Sequence, residues 1–332
     1  MPREDAHPTH PGYCLYVWEE SRTSPLPHES RVHDTNSPSQ ECVTFRKTVL
    51  VPDVTSMAIW FIIVLFCTYD VGAEMGTTPN LKQIVIGRCF DYITLVSPTS
   101  RYDCEDIWKE FEEAVVRRSP CNVKVKDYKR MFRATPQSLP CDRLLFWSKT
   151  RDLMHSYAAV THRFWTLEDT LVGYMFNDLV WCGQQEKDRG FDFNSCPEWS
   201  ACVNHPVYSL WRRASQNFAE VACGNITVLL NGSIENAFNR KSMFASVELG
   251  SLNPRLVDHV NIKVVPNLEG PFIESCSQGS IIDLIKILQD RGFHWTCTDN
   301  DLTLIMLQCI QNPLQFSCQT CSNSLLKRER TT

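Results

Sequence analysis

The sequence lacks the short motifs that mark the commonest nucleotide and hydrolase sites. It contains no GxGxxG after a predicted strand, no GxxxxGK[ST] and no GxSxG. A Rossmann dinucleotide site, a P-loop and an α/β-hydrolase nucleophile are therefore not indicated. The nine histidines do not have the spacing of a zinc site or a catalytic triad, and no internal repeat is present. Hydride transfer and phosphoryl transfer lose support accordingly.

An excess of positive charge is also absent. The chain of 332 residues has 33 Lys and Arg against 38 Asp and Glu, a formal net charge of -5, and the two signs are mixed along its length. A protein that follows a phosphate backbone usually shows a basic stripe. The sequence therefore predicts no nucleic-acid partner.

Only one long apolar run is present, MAIWFIIVLFCTY over residues 57–69. A spanning helix needs roughly 17 to 25 apolar residues, whereas the core of a signal peptide needs about 7 to 15. Length favours a cleaved signal, but the 56 preceding residues and the flanking Arg46 and Lys47 favour a short signal-anchor over 57–70. Both interpretations stay open. Either one predicts an ectodomain outside the cell, as a single-pass type II membrane protein or as a secreted one.

The two ends of the chain carry no helical or strand period. Residues 1–56 are rich in Pro, Ser, His and charge, a composition that cannot bury a core, and they are predicted to be disordered. Residues 323–332 are interpreted as a tail.

Cysteine is abundant, with 16 residues, and those from Cys89 to Cys318 fall among Pro, Asn and Ser. This usage predicts disulfides and an oxidising compartment. Metal binding is the rival explanation, but no CxxC is followed by a second pair or by HxxxH, so no metal site is expected. The sequons at Asn225 and Asn231 predict glycans in the same secreted context.

Hydrophobic periodicity predicts an α/β chain of the mixed α+β kind. Helices are expected within 104–135, from Thr166 onward, over 207–222 and from Ser280 to Gly292. Strands are expected at 144–147, 226–230, 244–249, 260–265 and 293–297. The strand, helix, strand order at the end implies a parallel sheet. A mostly helical lobe of 71–140 plus 166–222 is therefore predicted beside a smaller lobe of 141–165 plus 223–322 that holds the sheet.

Tryptophans and carboxylates lie at the ends of these predicted elements. Trp147 and Glu248 would lie at the carboxyl ends of strands, where parallel sheets bind ligands, with Glu168 and Trp211 on helices. Taken singly, each has an ordinary explanation, because a tryptophan usually fills a core and a glutamate is usually solvated.

Five sequence blocks with characteristic spacing add a resemblance. They are LLFWSKTRDL, TLEDTLVGYMFNDLVWCG, NHPVYSLWRRASQNFAEVAC, VLLNGS and SMFASVEL. From Cys89 to Cys318 the chain resembles the ADP-ribosyl cyclase / cyclic ADP-ribose hydrolase family. The resemblance implies an extracellular enzyme that cleaves the nicotinamide–ribose bond of NAD or NADP and gives cyclic ADP-ribose and ADP-ribose, with base exchange as a further expectation. It implies a small-molecule substrate and no cofactor. It also implies six disulfides, Cys89–Cys104, Cys121–Cys202, Cys141–Cys223, Cys182–Cys196, Cys276–Cys297 and Cys309–Cys318.

The resemblance also assigns roles to residues. Glu248 matches the family's catalytic glutamate, and Glu168 matches the acid that meets the carboxamide of nicotinamide. Trp147 and Trp211 match the tryptophans that position the two ring systems. The remaining residues implied to bind substrate are Ser148, Lys149, Asn177, Asp178, Ser215, Met243 and Phe244.

Three of these positions depart from the family pattern. Lys149 replaces an arginine at the pyrophosphate and loses its two-pronged geometry. Asn177 replaces an acid. Met243 replaces a threonine, and we expect its bulk to narrow the access of water and to favour cyclisation over hydrolysis. Two alternatives stay open, a catalytically silent adhesion or receptor ectodomain and a pure NAD glycohydrolase. A membrane tether and an oligomer also remain open.

Overall fold

A computed structural model describes residues 76–184 and 190–319 of the chain. The predicted disordered segment 1–56, the apolar segment 57–70 and the tail 323–332 lie outside the described residues, as do 71–75 and 320–322 of the predicted lobes. Within the described ranges, none of the helices has both the length and the apolar character needed to cross a membrane.

Four parallel strands form one sheet in the order β1-β2-β3-β4. They are β1 Leu145–Ser148, β2 Gly224–Asn231, β3 Val257–Val265 and β4 Trp295–Asp299. In the β1 pairing, Trp147 lies beside Leu229 and Ser148 beside Leu230, so the carboxyl ends of the first two strands meet at one edge. The parallel sheet predicted from the strand, helix, strand pattern is thus confirmed.

Helices make up most of the remaining described structure. They are α1 Leu81–Asp91, α2 Cys104–Val115, α3 Lys129–Ala134, α4 Arg151–Thr161, α5 Leu171–Phe176, α6 Pro206–Glu220, α7 Leu249–Ser251, α8 Ser280–Asp290 and α9 Leu302–Gln311. Wider π-helical turns occupy Tyr92–Val96 and Phe244–Glu248, and 3-10 turns occupy Val125–Tyr128, Leu167–Asp169 and Trp199–Ala201. The fold is therefore the expected mixture of helices with a parallel sheet.

Local signals in the sequence set where the predicted helices begin and which face they bury. The side chain of Asp103 accepts a hydrogen bond from the Asp106 backbone at 3.0 Å and begins α2. The apolar residues predicted to share one face of α2 are all buried: Ile107, Trp108, Phe111, Ala114 and Val115. Pro206 occupies the first turn of α6, where its missing N–H costs nothing. These helices bury one stripe each, as their periodicity predicts.

The predicted strand at 244–249 is wrong, because this segment is helical. The hydroxyl of Ser242 accepts a hydrogen bond from the Ala245 backbone at 3.2 Å, as a helix cap does. The buried residues Met243, Phe244 and Val247 are spaced as on one helical face. A short apolar run suits both a strand and a helix, and here the cap at Ser242 is the signal that decides.

The predicted starts of two helices, at Thr166 and at Ser280, are also corrected. Thr166 and Asp169 form the expected reciprocal cap, but it holds only the turn Leu167–Asp169, and Thr170 then starts α5 with its own hydroxyl. At α8 the cap position is Gly279, with φ 73°, instead of Ser280. The Ser280 hydroxyl bonds to the buried Glu274 carboxylate and accepts from the Phe238 backbone.

One continuous hydrophobic core joins the helices to one face of the sheet. A smaller cluster on the other face of the sheet includes Leu145, Leu229 and Val265 with Met154 of α4. Among the described residues six disulfides crosslink the chain, and they are the six pairs that the family resemblance implies: Cys89–Cys104, Cys121–Cys202, Cys141–Cys223, Cys182–Cys196, Cys276–Cys297 and Cys309–Cys318.

Candidate active site

The carboxyl end of β1 carries the first group of predicted site residues. Trp147 is half-buried and Ser148 is 1% exposed. Lys149 follows with φ 57°, a left-handed conformation that turns the chain sharply away from the strand. The Asn231 side-chain amide, at the end of β2, donates to the Lys149 carbonyl oxygen at 3.3 Å. Asn231 therefore holds the turn in which Lys149 lies, a role that the sequence did not reveal.

Helix α6 carries the second group and contacts the other parts of the site. Trp211 and Ser215 are one helical turn apart and both are buried, at 1% and 0% exposure. The helix contacts the turn Leu167–Asp169 and the π-helical segment Phe244–Glu248, and that segment also contacts β1. Elements that are far apart in the sequence are thereby brought together around one helix.

Glu168 lies in the short turn between α4 and α5. Glu168 is only 7% exposed, so its carboxylate is buried. The turn is held by Thr166, whose backbone N–H donates to Asp169 Oδ2 at 2.7 Å. Gly173 of α5 packs so closely against it that a Cβ there would stand 2.0 Å from the Leu167 carbonyl oxygen. The position of Glu168 thus depends on a glycine five residues later.

Next to this turn, a buried hydrogen-bond relay fixes the start of α5. Gln137 donates to the Tyr92 hydroxyl at 2.5 Å and accepts from the Leu171 backbone at 2.9 Å. Burial raises the pKa of Tyr92 to about 12, although the Gln137 hydrogen bond partly opposes this. Tyr92 therefore stays a neutral phenol at physiological pH, and the relay does not change with pH in that range.

Several polar atoms of these predicted residues are buried without a hydrogen-bond partner in the described part of the chain. They are Trp147 Nε1, Ser148 Oγ, both carboxylate oxygens of Glu168, and Ser215 Oγ. Burying such groups unpaired costs free energy, about 1 to 3 kcal/mol each. Other single orphan atoms occur on Trp108, Glu110, His205, Gln308 and Gln315. The concentration of unpaired donors and acceptors at the predicted site indicates a polar ligand.

The π-helical segment carries the third group. Glu248 is 3% exposed, Phe244 is 2% and Met243 is 8%. The Glu248 carbonyl oxygen accepts from the Leu252 backbone at 3.1 Å, so the helical path continues beyond the carboxylate. A buried carboxylate beside two bulky apolar residues can stabilise a positive charge in a site of low polarity.

Asn177 and Asp178 occupy the end of α5, and the structure pairs Asp178 with a residue that the sequence did not indicate. Arg151, at the start of α4, donates to both Asp178 carboxylate oxygens, at 2.8 and 3.0 Å. The Asp178 side chain is 60% exposed. An exposed ion pair of this kind contributes about 0 to 1 kcal/mol to stability. Asp178 therefore faces Arg151 in this structure, and a substrate contact would compete with that pair.

A pocket of about 220 Å³ lies on a neighbouring face of α6. Thr170 and Val172, which follow Glu168 in the chain, line this pocket, but none of the predicted site residues does. We place the site at the buried polar cluster and not at this pocket, because the unpaired atoms lie in the cluster. Within the described ranges, no group of three His, Cys, Asp or Glu side chains is arranged to hold a metal ion.

The two predicted glycosylation positions differ in surroundings. Asn225 is exposed near the start of β2. Asn231 is 8% exposed, and its amide nitrogen also donates to Asn267 Oδ1 at 3.1 Å. A glycan has open space at Asn225, whereas at Asn231 it would have to displace one of these hydrogen bonds.

Comparisons with known proteins agree on one family. The family model described as ADP-ribosyl cyclase matches residues 78–318. The chain is 39% identical over 245 residues to ADP-ribosyl cyclase/cyclic ADP-ribose hydrolase 1 of Mus musculus, covering 73% of this chain and 80% of that protein.

Two solved structures give the same result. The structure of Aplysia cyclase complexed with substrate NGD and product cGDPR has a TM-score of 0.69 at 34% identity, covering 74% of this chain and 98% of that one. Porcine CD38 with a covalent intermediate, ribo-F-ribose-5'-phosphate, has a TM-score of 0.65 at 37% identity, covering 68% and 98%.

Proposed function

The chain belongs to the ADP-ribosyl cyclase family, and from this premise we propose that it is an enzyme that cleaves the nicotinamide–ribose bond of NAD. Its products are nicotinamide with cyclic ADP-ribose and ADP-ribose, as the names of its relatives indicate. NAD is a substrate in this reaction and brings its own leaving group. We propose the same bond cleavage for NADP as a second substrate. Base exchange is a further reaction of the same kind.

The buried cluster of unpaired polar atoms is the observation that supports this function most directly. Trp147 Nε1, Ser148 Oγ, the Glu168 carboxylate and Ser215 Oγ offer buried donors and acceptors that no other group among the described residues satisfies. NAD has complementary groups, a carboxamide, ribose hydroxyls and a pyrophosphate. A catalytically silent ectodomain would have no reason to keep these groups buried and unpaired.

Bond cleavage places a positive charge on the ribose. The bond from the anomeric carbon to the pyridinium nitrogen breaks, and its electron pair goes to that nitrogen, so nicotinamide leaves neutral and needs no proton. The ribose passes through an oxocarbenium-like state, as in glycoside hydrolysis. The buried Glu248 carboxylate stabilises that charge by ion pairing or by transient bonding.

The neighbouring residues hold the substrate for this step. The faces of Trp147 and Trp211 suit the flat nicotinamide and adenine rings. Ser148, Ser215 and Lys149 serve the phosphates, with Lys149 acting as a point charge on a turn that Asn231 fixes. Glu168 accepts from the carboxamide N–H groups of nicotinamide. The family match supports these roles, and so does the burial of Ser148, Glu168, Trp211 and Ser215.

The product depends on what attacks the anomeric carbon next. An adenine ring nitrogen of the same molecule gives cyclic ADP-ribose, whereas water gives ADP-ribose and releases a proton. The balance depends on how well the site folds the substrate and excludes water. A pure NAD glycohydrolase is the second candidate, and only the product ratio distinguishes it from a cyclase.

The direct test incubates the purified full-length protein with NAD and separates the products by chromatography. We expect release of nicotinamide together with a measurable fraction of cyclic ADP-ribose. If a folded protein with its six disulfides formed leaves NAD intact, the silent ectodomain takes the place of the enzyme. Release of nicotinamide with ADP-ribose alone would leave the pure glycohydrolase.

Replacing Met243 tests how water is kept from the site. Met243 is buried at the start of the segment that ends in Glu248. Met243→Thr removes bulk and adds a hydroxyl, so we expect the ADP-ribose fraction to rise about two- to tenfold relative to cyclic ADP-ribose, with smaller changes in total NAD turnover. The product ratio measured at fixed NAD checks this. An unchanged ratio would show that the methionine does not control water.

We also propose that the protein acts at the cell surface as a type II membrane protein. The apolar segment 57–70, the six disulfides and the exposed sequon at Asn225 support this location. Mass spectrometry of the mature protein measures the N-terminus. A chain that retains residues 57–70 is the expected result, and a start near residue 73 would show a cleaved signal and a secreted protein.

A further inference from the structure

The helical segment that carries Glu248 ends abruptly. The π-helical turn Phe244–Glu248 continues into α7, which ends at Ser251, and the backbone becomes extended at Leu252. The last carbonyl groups of a helix have no partner within the helix and need one from elsewhere. The exposed residues 253–256 that follow form a turn before β3. The fold must therefore satisfy these carbonyls from another element.

Arg291 supplies those partners. Its Nη1 donates to the Leu249 carbonyl oxygen, and its Nη2 donates to those of Gly250 at 3.4 Å and Leu252 at 2.7 Å. One guanidinium thus binds the carbonyls of three of the four residues directly after Glu248. A cation at the C-terminal end of a helix also interacts favourably with the helix dipole.

Helix α8 and the ring of Phe293 hold the Arg291 guanidinium in place. Arg291 ends α8, and its backbone N–H donates to the Ile287 carbonyl oxygen at 3.1 Å. Helix α8 is anchored in the core by Ile281, Leu284 and Leu288, each 0% exposed. The Arg291 guanidinium carbon also lies 5.1 Å from the centre of the Phe293 ring. A rigid connection therefore runs from the core through Arg291 to the backbone beside Glu248.

We propose that Arg291 is a positioning residue for the reaction, which sets the place of the Glu248 carboxylate by clamping the carbonyls of residues 249, 250 and 252. The inference rests on the proposed function of Glu248. Arg291 reaches the backbone and does not need to touch the substrate. A carboxylate displaced by about 1 Å from the anomeric carbon can cost about 100-fold in rate. Loss of the clamp should therefore reduce kcat and alter the product ratio, with little effect on KM, because the groups that bind the rings and phosphates lie on other elements.

The experiment compares Arg291→Ala and Arg291→Lys with the native full-length protein. The matched control is Arg255→Ala, because Arg255 is an exposed arginine in the turn after α7 and its side chain is not part of the clamp. For Arg291→Ala we expect kcat to fall about 10- to 100-fold with KM within about threefold of native. Arg291→Lys should fall less, since lysine keeps the charge but can satisfy fewer carbonyls. Arg255→Ala should match the native protein.

Two readouts separate positioning from a loss of folded protein. The ratio of cyclic ADP-ribose to ADP-ribose does not depend on how much protein is folded, so a shift in Arg291→Ala supports positioning. Guanidinium ion, added below denaturing concentrations, should restore part of kcat in Arg291→Ala and leave the native protein unchanged.

A native kcat in folded Arg291→Ala overturns the proposal. So does a decrease that follows the folded fraction alone, with an unchanged product ratio and no rescue. If the native protein and Arg255→Ala also leave NAD intact, it is the proposed function that fails, and the positioning role is refuted with it.

Discussion

Glu248→Gln is expected to lower the rate of NAD cleavage by about 1000-fold while the protein remains folded. The substitution keeps the size and shape of the side chain and removes its negative charge. A neutral amide cannot pair with an oxocarbenium-like ribose, and in a site where Glu248 is only 3% exposed, water does not replace the lost charge. The measurement is kcat for nicotinamide release, with near-ultraviolet circular dichroism as the check on folding.

Two other glutamates serve as controls for this prediction. Glu235 is exposed, and Glu235→Gln should retain native kcat. Glu274 is buried as Glu248 is, and its carboxylate accepts hydrogen bonds from the Asn236 and Ser280 backbones at 2.7 Å each. Glu274→Gln should therefore lower the stability and leave kcat per folded molecule unchanged. If Glu248→Gln retained activity within tenfold of native, the carboxylate would not be the group that stabilises the ribose charge.

Gly173→Ala is expected to damage both the stability and the site. The added Cβ would stand 2.0 Å from the Leu167 carbonyl oxygen and 2.8 Å from the Glu168 Cα, so the clash is with backbone and cannot be relieved by rotating a side chain. Overpacking of this kind costs about 1 to 3 kcal/mol or more. Because the displaced turn carries Glu168, we expect the free energy of unfolding to fall by about 3 kcal/mol and the product ratio to change.

Gly87→Ala is the matched control for this substitution. Gly87 lies in the interior of α1, and nothing lies within 4 Å of a Cβ built there. Alanine has the higher helix propensity, so this variant should gain up to about 1 kcal/mol. Denaturant unfolding measures both variants, and chromatography of the products measures the site. A Gly173→Ala protein with native stability and product ratio would show that the turn with Glu168 can move without consequence.

Most of the predicted elements have a local cause that can be read in the sequence, but helices α1, α4 and α9 were not predicted. The stripe of α2, the proline at the start of α6, the continuous apolar run of β2 and the alternating run of β3 depend on side chains a few residues apart. The same locality explains the error at 244–249, where six residues are too few to separate the period of a strand from that of a helix. The cysteine usage and the spaced family blocks likewise belong to the sequence alone.

The sequence predicted which residues form the site but not how their polar groups are buried. The family resemblance named Glu248, Glu168, Trp147 and Trp211, and the fold brings together the elements that carry them. Whether each of these residues performs its expected role stays a prediction. The sequence could not indicate that the polar atoms of Ser148 and Ser215 are buried without partners, because burial depends on how separate elements pack.

By itself, the sequence determined the family to which the chain belongs and those helices and parallel strands whose caps and periods are local. Only the tertiary structure decided which residues support the site. Arg291 binds the backbone of Leu249, 42 positions earlier in the chain, Arg151 faces Asp178, 27 positions later, and Asn231 holds Lys149 from 82 positions away. No local period records such pairs, because the partners become neighbours only after the helices have packed against the sheet.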